Sequence, residues 1–523
     1  MVTVLTHGAL VLFIATVANR ILAFLNQIVL MKYIGPETVG LFQMIFPIYI
    51  LLLVLATAGI PVALTKRVAE EAAQGQWGNV RKYVITALFS TTLIATAVTV
   101  IAFFLPSFLF SQVVADVRAE TAYLVLLPSI LLVALSSVLR SLCQGLQAME
   151  PTAIASFVEQ VIRIVSGLSL ALLLLPQGLQ WAAAGVALGI TLGELFGLIS
   201  LAFFSGPHLF RRLKTFWSHI NMPTTTTLRQ SFFSLWPLAY PIAISRIITC
   251  LMLSVDAYLI PRSLQASGMT LSEATSAFGS FNGGAAPLIT IPTVFTIPLS
   301  ISLIPGIAES WALKQRETVR YRTMKALRIT ALVSWPVLSI LFLVGGDIAE
   351  LLFDLEGLGP SLSILAIGAL FLYFHQTTTS ILQGMGKVFF PLLVTVFASV
   401  VRALTFLTLA SSPQFGLEGV AWAYSFSNII TAFLHFAWLY FYLKISLHQL
   451  TSLFRPALGA ILMMFIFHFL FTNLLDPLPL LLKLLMATVP SLLVYLISLP
   501  FLGSLTRDDL HSLPGLRWFV KKW

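Results

Sequence analysis

The sequence predicts an all-α integral membrane protein with about fourteen transmembrane helices, in two six-helix lobes related by a pseudo-twofold axis along the membrane normal, plus two C-terminal helices. Three observations predict this fold: an apolar, charge-poor composition, a regular series of span-length apolar segments, and an internal repeat. Of 523 residues, 58% are hydrophobic and 10% charged. Soluble domains carry about 25% charged residues, so water-soluble, disordered and fibrous classes are excluded. At roughly 20 residues per span, fourteen spans leave room for short connectors but not for a folded extramembrane domain.

The first seven apolar segments lie near residues 8–31, 41–64, 83–105, 121–143, 152–175, 181–204 and 232–258. The second seven lie near 284–308, 326–346, 361–384, 388–410, 417–443, 456–474 and 479–503. No Lys or Arg precedes the apolar run that begins the chain, so this run reads as a first span rather than a cleaved signal. Basic loops stay cytoplasmic. With both termini inside, most of the 30 Lys and Arg fall in inner loops and the C-terminal tail, while outer loops receive Lys32, Arg118, Arg262 and Lys483. The net charge of +10 is then a property of topology and of anionic lipid at the inner face, with no nucleic-acid motif. The expected location is the bacterial cytoplasmic membrane.

Aligning the chain with itself at an offset of 239 residues pairs Val68-Ala69-Glu70 with Ile307-Ala308-Glu309, and Val80-Arg81 with Val319-Arg320. It also pairs Gln144-Gly145 with Gln383-Gly384, and Val161-Ile162-Arg163 with Val400-Val401-Arg402. Small shifts add Asn19-Arg20-Ile21 with Ser245-Arg246-Ile247, and Gly185-Val186-Ala187 with Gly419-Val420-Ala421. Six spans per copy is an even number, so the copies share an orientation, as in transporters that rock two lobes about a central site. The implied organisation is an N-lobe at 1–228, a C-lobe at 229–450, and an addition at 451–523 with two spans and a basic tail.

Charged side chains inside a span cost roughly 2.5–3.5 kcal/mol each on insertion scales, so they should face a cavity or each other. Glu159 and Arg163, four apart on a helix, read mainly as an ion pair, with substrate contact or coupling as the alternative. Arg402, the repeat counterpart of Arg163, has no acid four positions earlier and needs a partner from another helix or an anion. Glu194 reads as a partner for one of these arginines or as a proton or cation site. Asp256 is expected to snorkel to water at the outer end of its span.

Arg20 and Arg246 occupy the first helix of each lobe without an acid three or four residues away. Spacings of seven place Asn19 above Asn26 and Arg20 above Gln27, a polar stripe along a membrane helix. Interhelical hydrogen bonding would explain the stripe. An anion-binding wall explains the arginines better, because a guanidinium stays charged and its planar fork matches phosphate oxygens. Arg20, Asn26, Gln27, Arg246 and Arg402 are therefore the candidate substrate-binding residues.

Pro47 and Pro61 in span 2, with Pro287, Pro292, Pro298 and Pro305 in span 8, mark either static kinks or helices that bend during transport; Pro47, Pro61, Pro292 and Pro298 are the candidate gating positions. No phosphate-binding loop and no metal motif is present, and Cys143 and Cys250 both fall in apolar stretches. The acidic run Asp347, Glu350, Asp354 and Glu356 reads as a solvated loop. No catalytic residue, metal or cofactor is expected, and the enzyme class ranks last.

With these lobes, the two added spans and the first-helix arginines, the chain resembles the multidrug/oligosaccharidyl-lipid/polysaccharide exporter superfamily. Within it the likeness is to the stage V sporulation protein B branch, relatives of the lipid II flippases. The likeness rests on Gly40-Leu41-Phe42-Gln43-Met44 with Pro47, and on Gly59-Ile60-Pro61-Val62-Ala63-Leu64-Thr65-Lys66 with Val68-Ala69-Glu70. It rests also on Ser136-Ser137-Val138-Leu139-Arg140 with Gln144-Gly145 and Pro151, on Glu159-Gln160-Val161 with Arg163, and on the tail Arg507-Asp508-Asp509-Leu510.

The resemblance implies a monomeric flippase that carries an undecaprenyl-pyrophosphate-linked saccharide, a lipid II-like precursor or polysaccharide unit, for cell wall or spore cortex. Arg20 matches the first of two span-1 arginines of lipid II flippases. The second arginine and the following acid correspond here to Asn26 and Gln27, which leaves the saccharide and the coupling ion open. The alternative on the same fold is a cation-coupled multidrug exporter, for which Glu194 is the one unpaired mid-span acid.

Overall fold

The computed structural model describes residues 2–206, 211–219, 222–224, 227–445, 451–475 and 478–504, with side chains described for these apart from 2–14, 211–212, 295 and 297–302. The tail motif at 507–510 lies outside the described residues, as does the side chain of Pro298. The described elements are helical. We number the helices α1 (Val2–Ile34), α2 (Pro36–Thr57), α3 (Ile60–Ala73), α4 (Trp77–Phe103), α5 (Glu120–Gly145), α6 (Glu150–Leu174), α7 (Leu179–Phe204), α8 (Arg211–Ser218) and α9 (Leu228–Ala266). There follow α10 (Leu271–Ser280), α11 (Ala286–Thr290), α12 (Thr293–Ala312), α13 (Arg316–Phe353), α14 (Gly359–Gly384), α15 (Phe389–Thr405), α16 (Gly416–Leu443), α17 (Arg455–Phe469) and α18 (Leu480–Phe501). Among the described residues, 12 helical segments are long and apolar enough to cross a membrane. The chain is therefore a multi-span all-α membrane protein.

Two compact units form, one from Met1–Gln265 with Met269–Gly283, the other from Ala266–Gly268 with Gly284–Trp523. The first unit includes α9, the helix that opens the second copy of the sequence repeat. Its anchoring is specific: Ser234 donates to the Tyr83 hydroxyl at 3.1 Å, and Arg67 donates to the Ser234 carbonyl at 3.3 Å. Asp256 of α9 is buried, so it does not snorkel to water.

The apolar segment at 41–64 forms two helices instead of one. Ala58 and Gly59 adopt the left-handed conformation, ending α2, and Pro61 sits in the first turn of α3, where its missing N–H costs nothing. A Cβ on Gly59 would fall 2.3 Å from the Ala239 carbonyl oxygen, so the break also admits α9. Pro47 lies inside α2. Pro292 stands at the interruption between α11 and α12, and Pro298 falls within α12.

In the first unit α10 is fixed on α2. A capping box between Thr270 and Glu273 starts it, and hydrogen bonds from the Thr270 backbone and hydroxyl hold the Glu273 carboxyl below the usual range. Ser272 donates to Glu37 at 2.6 Å, and Thr275 donates to the buried Asp116 at 3.1 Å. Arg118 bridges Glu37 and Asp116 at 2.8 and 2.7 Å.

The 239-residue repeat is visible in local structure. A Cβ on Gly145 would meet the Val68 Cβ at 2.6 Å and the Thr65 carbonyl oxygen at 2.8 Å; one on Gly384 would meet Ile307 Cβ and the Ile304 carbonyl oxygen, both at 2.9 Å. The turns after these helices also correspond. Gln147 and Gly386 both have positive φ, and Ala148 N–H bonds Cys143 O at 2.8 Å as Lys387 N–H bonds Leu382 O at 2.8 Å. In the second unit, α17 and α18 pack on α13: Tyr495 donates to the Leu332 carbonyl at 2.8 Å, and α17 meets α18 where a Cβ on Gly459 would fall 2.5 Å from Ser498 Oγ.

A stripe of glycines on α7 sets a close helix approach. A Cβ on Gly185 would fall 2.6 Å from Ala171 N, on Gly189 2.2 Å from Gly167 Cα, on Gly193 2.9 Å from Arg163 Cβ, and on Gly197 3.0 Å from Glu159 Cβ. Spacing of four places all of them against α6, the small-residue packing that membrane helices use in place of a hydrophobic driving force. Replacing Gly189 with Leu is expected to force α6 and α7 apart and destabilise the fold by about 1–3 kcal/mol. A thermal melt of the purified variant, compared with the parent protein, measures this; an unchanged melting temperature would contradict the packing described.

Candidate functional site

Helices α1 and α6 pack together in the first unit, and along their junction lie two cavities that share Ala23 as a wall. The first, of about 280 Å³, is lined by Thr16, Asn19 and Arg20 of α1 and by Ala153 and Ser156 of α6. The second, of about 220 Å³, is lined by Asn26 and Gln27 of α1, Gln43 of α2, and Gln160 and Arg163 of α6, among apolar neighbours. The heptad spacing of Asn19 with Asn26 and of Arg20 with Gln27 thus produces one polar seam rather than scattered contacts.

The α6 side of this seam carries a chain of charges. Glu159 accepts from both Arg140 of α5 and Arg163, and Arg163 also donates to Glu194 of α7 at 2.8 Å. Arg140 uses its second nitrogen on Ser156 at 2.7 Å, which connects the chain to the first cavity. The Glu159 and Glu194 side chains are each 12% exposed and Arg163 28%, so the pairs are largely desolvated. Glu194 reaches Arg163 because the glycine stripe brings α7 onto α6. Around the seam stand three guanidiniums, of Arg20, Arg140 and Arg163, and two carboxylates, of Glu159 and Glu194.

Part of the seam's hydrogen-bonding capacity is unspent. Asn19 Oδ1, Asn26 Oδ1, Gln27 Nε2 and Arg163 Nε are buried and have no partner among the described residues. Gly283, just past α10, leaves room for the Gln27 amide: a Cβ there would fall 2.8 Å from Nε2. Buried amide and guanidinium groups in this condition are costly unless something polar satisfies them.

The structure therefore brings together Arg20 with Asn19, and Asn26 with Gln27 and Arg163, and joins Glu159, Arg163 and Glu194. Arg246 is exposed on α9 and lines neither cavity; among the described residues no carboxylate forms a salt bridge with it. Arg402 lies in the second unit, its guanidinium 5.0 Å from the centre of the Tyr424 ring and 3.4 Å from Ser399 Oγ. An aromatic face thus takes the place of the acid that Arg163 has in the first copy. Sequence reasoning gave no site role to Arg140, Ser156, Gln160 or Gln43. The signal for two of them, Ser156 and Gln160, was present, since Ser156, Glu159, Gln160 and Arg163 fall at i, i+3, i+4 and i+7 on one helix face.

Removing the Arg163 guanidinium leaves two buried carboxylates facing each other. Arg163→Ala is expected to destabilise the protein toward the lower end of the roughly 3–5 kcal/mol typical of breaking a buried pair. The double variant Arg163→Ala with Glu194→Gln is expected to recover part of that loss. Thermal unfolding of the parent, the two single variants and the double variant tests the coupling, and additive losses would show that the residues act independently.

Among the described residues, long apolar helices enclose a polar, charge-bearing seam, an arrangement that suits a multi-pass membrane transporter. Residues 5–311 match the polysaccharide biosynthesis protein family, more than half of the chain, and residues 241–409 match the MatE family. The chain belongs to the polysaccharide biosynthesis protein family, within the multidrug/oligosaccharidyl-lipid/polysaccharide exporter superfamily. Members of that superfamily are transporters, and this chain is accordingly a transporter and not an enzyme.

Among curated proteins, it is 29% identical over 431 residues to stage V sporulation protein B of Bacillus subtilis (strain 168), covering 82% of each chain. It is 24% identical over 417 residues to the lipid II flippase MurJ of the same organism, covering 76% of each. Among solved structures, a lipid II flippase MurJ in an inward closed conformation matches with a TM-score of 0.70 at 18% identity, covering 94% of this chain and 98% of that one. An inward-facing multidrug resistance MATE transporter matches with a TM-score of 0.66 at 15% identity, covering 82% and 94%. These two structural likenesses concern the fold.

Proposed function

We propose that the protein translocates an anionic lipid-linked saccharide, of the undecaprenyl-pyrophosphate class, across the cytoplasmic membrane by alternating access. The observation that carries this reading is the set of guanidiniums around the α1–α6 seam together with its unspent buried N–H groups, Gln27 Nε2 and Arg163 Nε. A diphosphate offers acceptor oxygens to such groups; an organic cation does not. The family match and the names of two relatives, a lipid II flippase and a sporulation protein, support the same substrate class.

In this reading Arg20, Asn26, Gln27, Arg246 and Arg402 contact the head group, and Glu159, Arg163 and Glu194 hold the seam together. Helix α1 and the α11–α12 segment complete fourteen crossings, in two six-helix lobes with α17 and α18 added, and both termini are cytoplasmic. Pro47, Pro61, Pro292 and Pro298 are bending points in the cycle. The product serves cell wall or spore cortex. A cation-coupled multidrug exporter is the competing reading, favoured by the MatE match at residues 241–409.

Arg20→Ala and Arg246→Ala are expected to insert into membranes at parental levels and to lose translocation of a labelled lipid II probe in proteoliposomes by at least about tenfold, the effect of losing about 1.4 kcal/mol of phosphate contact. Full transport by both variants would remove the proposed role of these arginines. Efflux of an organic cation by the parent protein, without lipid translocation, would favour the multidrug reading instead.

A further inference from the structure

Two histidines of the second unit face each other, far in sequence from the seam and without a part in it. His375 of α14 and His435 of α16 have ring centroids 5.4 Å apart with the planes at 53°. His435 is fully buried. Its Nδ1 lies 3.0 Å from the Thr378 hydroxyl, which in turn lies 2.9 Å from the Phe374 carbonyl oxygen and 3.0 Å from that of His375. A hydroxyl has one proton to give. When Thr378 gives it to a carbonyl of its own helix, the contact with His435 is made by Nδ1–H donating to Oγ1, and Nε2 keeps a lone pair. That Nε2 and the Nδ1 of His375 are both buried, and neither has a partner among the described residues.

Among the described residues no carboxylate forms an ion pair with either ring. From α15 the Phe390 ring lies 5.9 Å from the His435 ring. The helices on the other side use neutral pairs beside the histidines: Thr330 of α13 with Thr377 at 2.7 Å, Thr296 of α12 with Gln376 at 3.0 Å, and the Ile289 carbonyl of α11 with Tyr373 at 2.7 Å. The titratable group that faces each imidazole is the other imidazole of the pair.

We propose that His375 and His435 form a proton-binding site inside the second unit, which takes up one proton on an orphaned ring nitrogen and couples proton entry to transport. This rests on the translocation reading for its coupling role, although the site itself does not. One proton is the stoichiometry the geometry allows, since a second imidazolium in the same apolar setting would be repelled by the first. The proton-free pair fits the packing seen here. A protonated pair needs water or a carbonyl to reach it, so proton uptake favours an arrangement in which α14 and α16 open around the rings, and this differential affinity is what couples an ion to a conformation.

Two measurements on the full-length protein test the proposal. Side-chain nitrogen NMR of protein labelled at its 8 histidines, in lipid nanodiscs, is compared with the variants His375→Asn and His435→Asn. The expected result is one proton taken up by the pair as pH falls, and a change in proton affinity of at least about tenfold at either ring when the other is replaced. Rings that stay neutral throughout, or that titrate independently, would overturn the site. Should the variants fail to fold, the wild-type titration decides by the same criterion of one shared proton.

In proteoliposomes, an imposed pH gradient is expected to change the rate at which the wild type translocates a fluorescent polyprenyl-pyrophosphate saccharide, and both variants are expected to lose that response. A response retained in both variants would overturn the coupling role. Absence of any lipid translocation by the wild type would count against the function proposed above, while the NMR result still decides whether the proton site exists.

Discussion

A charge inside a bilayer must find a partner, and in the first unit that requirement organises everything around the seam. Arg140, Glu159, Arg163 and Glu194 come from three different helices, and each carboxylate is held by at least one guanidinium. The contact between Arg163 and Glu194 would not form at ordinary helix separations. The glycines of α7 remove the side chains that would keep it from α6, and the electrostatic chain closes as a result. Packing and charge pairing are here a single design: loosening the first strands the second, and neutralising the second removes what fixes the rotamers along the first.

The two repeat copies solve the same problem with different chemistry. Arg163 is satisfied by carboxylates, whereas Arg402 lies over the face of Tyr424. A ring face offers attraction without a formal negative charge, so the second unit keeps its arginine without acquiring an acid on the same helix. In the core of that unit, neutral hydroxyl, amide and imidazole pairs stand in for ion pairs.

Much of this was legible in the sequence, and for identifiable reasons. Apolar segments announce themselves because lipid tolerates little else, and the repeat survives at one offset because the glycine contacts at Gly145 and Gly384 admit no side chain. Arg20, Asn26 and Gln27 were conspicuous as polar residues on an apolar helix. Arg140 and Gln43 were not, because their importance lies in which neighbour they meet across a helix interface, and spacing along one chain does not report that. The break at Ala58–Gly59 was hidden inside a continuous apolar run, since hydropathy carries no information on φ. The attachment of α9 to the first unit was equally invisible, because a repeat in sequence specifies ancestry and not partners.

The turns that follow equivalent helices carry a last consequence. After α3 the left-handed position is Gly75, and its counterpart after α12 is Lys314; after α5 it is Gln147, and its counterpart after α14 is Gly386. Each half therefore holds one such turn with glycine and the other against a steric penalty of roughly 1–2 kcal/mol. Drift has exchanged the residues while leaving the bend untouched, so what duplication handed down is a path for the backbone, and a chain with glycine at all four positions would trace that path with less resistance than either half does now.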